Sequence, residues 1–74
     1  MPRSTAALPV STEQRRTLEA WVRASNTPQG IVLRSRIIIL GADGKANSAV
    51  AGEVGVSRPT VILWRQRFRA GGPE

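Results

Sequence analysis

The sequence predicts an all-α protein, a small bundle of about four helices spanning roughly 12–25, 28–42, 47–54 and 58–69. Three observations lead there. Apolar residues recur three and four positions apart, which gathers them on one side of a helix. Capping residues or prolines stand where the helices would begin, at Ser11, Thr27-Pro28, Asn47 and Ser57. Asn26, Gly44 and Gly55 stand where the first three would stop.

Residues 1–10 hold Pro2, Pro9 and small polar residues, and read as a flexible arm. Arg3 could reach a minor groove, but a solvated tail is the simpler expectation. Ser11 then opens the first helix, with Gln14 three residues on to complete a capping box. Glu13 suits the positive end of the helix dipole. Leu18, Trp21, Val22 and Ser25 mark the buried stripe. Arg15, Arg16, Glu19 and Arg23 read as a solvated face, with Glu19 and Arg23 a favourable i, i+4 pair.

Thr27 caps the second helix and Pro28 takes its first position, where a missing N–H costs nothing. Asp43-Gly44 stops it. Ile31, Leu33, Ile37, Ile38 and Leu40 cannot share one narrow stripe, so this helix is expected to be the most buried. The β-branched run Ile37-Ile38-Ile39 also suits a strand. A proline start, a glycine stop and a length near fifteen residues favour the helix. Arg34 and Arg36 project from it, toward phosphate or toward water.

The third and fourth helices form one unit. Asn47 is the expected N-cap, and Val50, Ala51 and Val54 make a short apolar face. Gly55 takes the left-handed conformation that ends the helix, and Val56 folds back on it. Ser57 caps the next helix with Pro59 in its first turn, and Val61, Trp64, Arg65 and Phe68 share one face. Two helices crossing through a short glycine-containing turn form a helix-turn-helix. Small Ala51 permits the close crossing, and Trp64 covers it. Gly52 is discordant: glycine inside a helix costs about 0.5–1 kcal/mol relative to alanine. It implies either a close neighbour or a marginal helix.

Charge distinguishes this unit from a plain helical hairpin. Lys and Arg number 11 against 5 acids, for a net charge of +6. Arg58, Arg65, Arg67 and Arg69 lie on the last helix with no acid among them. With Val61, Trp64 and Phe68 inward, the opposite side carries Pro59, Ile62, Leu63, Gln66 and Ala70. Short apolar side chains and an amide can meet base edges while flanking cations meet phosphates. The expected contacts with double-stranded DNA are Lys45, Ser48, Ser57, Arg58, Pro59, Thr60, Ile62, Leu63, Gln66, Arg67 and Arg69. Lys45 and Ser48 belong to the start of the third helix, whose free N–H groups suit a phosphate. Ile62 and Leu63 could alternatively make a second core face or an oligomer contact.

The composition argues against catalysis. There is no cysteine and no histidine, and no carboxylate pair at a useful spacing. No cofactor, metal or small-molecule substrate is expected. The longest apolar runs, Ile37 to Leu40 among them, are far too short to span a membrane, and no signal-peptide pattern opens the chain. A cytoplasmic, nucleoid-associated protein follows, monomeric as an isolated domain. Residues 71–74 have the composition of a linker.

Several blocks together resemble a family. These are Thr27-Pro28-Gln29, Leu33-Arg34-Ser35-Arg36-Ile37, Leu40-Gly41-Ala42-Asp43-Gly44, Val54-Gly55-Val56-Ser57-Arg58-Pro59-Thr60-Val61 and Trp64-Arg65-Gln66-Arg67-Phe68. In order and spacing they resemble the N-terminal DNA-binding region of mariner-like bacterial insertion-sequence transposases. The resemblance covers roughly residues 11–72. It implies a homeodomain-like module that recognises terminal inverted repeats, followed in such proteins by a catalytic domain with three metal-binding acids. Those acids have no counterpart here, so only the recognition role carries over. The sequence departs from the pattern at Gly52, where a larger residue is expected. A free-standing transcriptional regulator and a small helical protein-interaction module are the competing readings.

Overall fold

A computed structural model describes residues 8–71, which form helices α1 (Thr12–Arg23), α2 (Gln29–Ala42), α3 (Asn47–Val54) and α4 (Arg58–Gly71). Among the described residues there is no strand, so the isoleucine run lies in α2. Arg3 and residues 72–74 lie outside the described residues.

The helix α2 is the hub. It packs against α1, α3 and α4, and α3 packs against α4, whereas α1 touches α2 alone among the described helices. Ile37 and Ile38 of α2 are buried beside Leu18 of α1, Val50 and Ala51 of α3, and Val61 and Phe68 of α4. Each large aliphatic or aromatic side chain there contributes about 1.5–3 kcal/mol through burial. Ile31, Leu33 and Leu40 are only half-buried. No described helix is long and apolar enough to cross a membrane.

The helix ends agree with expectation in part. At Ser11 the capping box forms: Gln14 N–H donates to Ser11 Oγ at 3.0 Å, and Ser11 N–H donates to Gln14 Oε1 at 2.9 Å. The helix α1 stops at Arg23, two residues short of the expected Ser25, because Ala24 is already extended with ψ 136°. Ser25 is therefore exposed and outside the buried stripe. At the start of α2, Pro28 rather than Thr27 is the N-cap, with ψ 144°. Its carbonyl accepts from Ile31 and Val32 N–H at 3.0 and 3.1 Å. Ala46 replaces Asn47 as the cap of α3, without a side-chain bond. Asn47 is instead the first helical residue, and its Oδ1 is buried with no hydrogen-bond partner among the described residues.

Charges on α1 are arranged differently from the expected pair. Glu19 pairs with Arg15 at 3.0 Å rather than with Arg23. Arg15 also reaches Asp43 at the C-terminus of α2, again at 3.0 Å. This side chain, expected only in water, ties α1 to α2. The bonds to Asp43 first and Glu19 second raise the pKa of its guanidinium above the ordinary value.

Among the described residues, packing already includes Leu8, ahead of the expected start at residue 11. Leu8 belongs to the expected flexible arm, yet it is 2 % exposed and its N–H donates to Gly41 O at 3.0 Å. A terminal carbonyl of α2 captures the segment, which buries one leucine against the core.

Candidate nucleic-acid interface

The corner between α3 and α4 has the expected construction. Gly55 adopts φ 86° and ψ 34°, the left-handed region in which a side chain would strain the backbone. The Ala51 carbonyl accepts from Gly55 N–H at 2.8 Å and from Val56 N–H at 3.1 Å, closing the end of α3. Ala51 is buried at the crossing, and Val56 packs on the core's edge. Ser57 Oγ and Thr60 Oγ1 are 2.8 Å apart, and Thr60 N–H donates weakly to Ser57 Oγ at 3.4 Å. The capping hydroxyl is thus engaged at the first turn of α4.

Burial fixes how α4 is turned. Val61, Arg65 and Phe68 are buried, and Trp64 is half-buried against the core. Pro59, Leu63, Gln66 and Ala70 are exposed together on the opposite side. Leu63, at 41 %, is the exposed large hydrophobic residue among those described. Ile62 and Thr60 are half-buried at the margins of that side, so Ile62 presents less of itself than expected. Arg58, Arg67 and Arg69 are exposed around it and enter no ion pair among the described residues. The result is a shallow strip bordered by cations.

The two residues expected at the start of α3 differ. Ser48 is exposed in the first turn. Lys45 is exposed too, but its ammonium lies 3.5 Å from the Glu53 carboxylate, which offsets part of its charge. Gly52 is open: a Cβ there would meet nothing within 4 Å among the described residues. A close neighbour therefore does not explain this glycine.

Two arginines depart from simple surface roles. Arg65 is 3 % exposed, inward with Val61 and Phe68, and lies beneath Gly41 of α2. Burial, and secondarily the charge of Arg69, lowers its pKa from the ordinary value. Its place was legible in its spacing, four residues after Val61 and three before Phe68, although its charge grouped it with the surface cations. Arg34 of α2 was expected to project toward phosphate or toward water. Its guanidinium lies 4.2 Å from the centre of the Trp64 ring, and that of Arg67 lies 5.1 Å from the same centre. Nothing in the spacing of α2 signals that contact, because it spans two helices.

Such an arrangement can hold a helix against a duplex groove while cations meet the phosphates on either side. A family model described as a homeodomain-like domain matches residues 28–74, which include α2, α3 and α4 but not α1. No curated protein and no solved structure matches the chain. With the matched region covering more than half of its length, the chain belongs to the homeodomain-like helix-turn-helix family.

Proposed function

We propose that the protein binds double-stranded DNA sequence-specifically by laying α4 in the major groove, as the DNA-recognition region of a transposase that reads terminal inverted repeats. The observation that carries the DNA reading is the exposed strip Pro59, Leu63, Gln66 and Ala70, bordered by Arg58, Arg67 and Arg69. Gln66 has the donor and acceptor needed for an adenine edge, and Leu63 an apolar end suited to a thymine methyl. Arg58, at the first turn, suits a guanine or a neighbouring phosphate. Ser48, Ser57, Thr60, Lys45 and Arg69 serve the backbone, and half-buried Ile62 supports one margin of the strip. The transposase assignment is supported by the run of blocks from Thr27 to Phe68 described above.

The test is selection of a preferred duplex from a random pool, then titration of it and a scrambled duplex at two salt concentrations. Preferred binding that weakens steeply with salt supports the reading. Equal affinity for both duplexes removes sequence recognition, and an absence of binding removes DNA. Enrichment of the ends of a mobile element, in inverted orientation, supports the transposase role.

Exposed Leu63 also suits a free-standing regulator that dimerises on a palindrome. Sedimentation separates the two: a monomer on a non-palindromic site fits the transposase reading, and a dimer on a palindrome fits the regulator.

A further inference from the structure

We propose that Arg34 and Arg67, both stacked on Trp64, form a clamp on the phosphate backbone of the DNA; this rests on the DNA-binding reading above. Arg34 comes from α2 and Arg67 from α4, yet both guanidinium groups lie over one indole ring, at 4.2 and 5.1 Å from its centre. Both cations therefore stand beside one ring of the exposed-strip helix. The negative face of the ring attracts each of them. The ion pairs among the described residues engage Arg15 and Lys45, not Arg34 or Arg67. Neither charge is neutralised by a carboxylate among the described residues, and the planar guanidinium forks suit phosphate oxygens.

The placement selects the kind of anion. Arg67 lies one turn beyond Leu63 on α4, at the edge of the exposed strip, and Trp64 lies between it and the core. A groove receiving that strip brings a phosphate backbone alongside its edge. Stacking on the ring restricts Arg34 and Arg67 before DNA arrives, so less side-chain freedom is lost on binding. Arg34 thus extends the contact surface from the helix-turn-helix onto α2, whose guanidinium carries no base-reading role.

The experiment titrates wild type, Arg34→Gln, Arg34→Met and Arg34→Lys against the preferred and the scrambled duplex across a series of salt concentrations. Arg23→Gln, on exposed α1, is the control. Circular dichroism checks each fold, and the methionine variant keeps an apolar stem against the ring. Loss of the charge should make the log–log salt slope shallower by about 0.9, one phosphate contact, and weaken both duplexes by the same factor. The lysine variant should keep the slope and bind more weakly than wild type, and R23Q should match wild type. Wild-type slope and affinity in both R34Q and R34M overturn the clamp while leaving DNA binding intact. A loss confined to the preferred duplex overturns it in favour of a base contact. No binding by wild type overturns the DNA reading, and the clamp with it.

Discussion

Arg65 of α4 occupies the space that a side chain on Gly41 of α2 would need. A Cβ added at Gly41 would lie 2.5 Å from Arg65 Nη1, 3.3 Å from its Cζ and 3.5 Å from Leu8 Cδ2. The glycine thus brings together the hub helix, the exposed-strip helix and the segment before α1. A guanidinium could ordinarily swing away from such a clash, but Arg65 is buried on all sides. Gly41→Ala should therefore destabilise the protein by about 1–3 kcal/mol through overpacking, despite the better helix propensity of alanine. Urea denaturation followed by circular dichroism measures it; unchanged or increased stability would show that Arg65 relocates freely.

Gly52→Ala is the converse. The site is an open, exposed position in α3. Alanine there should stabilise by about 0.5–1 kcal/mol, by lowering the entropy of the unfolded chain and favouring the helix. The same denaturation series checks it, and DNA affinity should not change.

At the corner, Gly55 has φ 86°. Gly55→Ala should cost about 1–2 kcal/mol, the penalty of a left-handed alanine. The loss should appear both in the denaturation midpoint and as weaker DNA binding, because the corner sets the angle of α4. A variant as stable as wild type would contradict the turn geometry.

Leu8 precedes the region matched by the family model, yet it belongs to the core. Leu8→Ala should destabilise by about 2–5 kcal/mol, the range for a buried leucine. Arg15→Ala should cost no more than about 1 kcal/mol even though Arg15 joins two acids, because its side chain is 37 % exposed and water screens the pairs. Thermal unfolding of the two variants should rank them accordingly; a larger loss for Arg15 would reverse their roles.

Leu63 and Gln66 carry little of the fold and much of the proposed recognition. Leu63→Ala should leave stability within about 0.5 kcal/mol, as an exposed substitution does. Gln66→Ala should reduce discrimination between the preferred duplex and one with a single altered base pair by about 1–3 kcal/mol. Competition binding measures the second effect. Equal discrimination by wild type and variant would remove Gln66 from base reading.

The helix count, the corner at Gly55, the Ser11–Gln14 box and the inward side of α4 were legible in the amino-acid order. Each depends on residues within a few positions of one another: a left-handed glycine, a hydroxyl three residues before an amide, apolar side chains one turn apart. Local sterics and hydrogen bonds decide such features before distant parts of the chain meet. Tertiary packing decided the rest. Leu8 left the expected arm because it bonds the Gly41 carbonyl and packs into the core cluster, both of which other parts of the chain supply. Arg65 met Gly41, and Arg34 joined Arg67 on Trp64, because α2 crosses α4 at those positions. Periodicity assigns a side chain to one side of its own helix; which residue of another helix it meets depends on crossing geometry, which the whole core sets jointly.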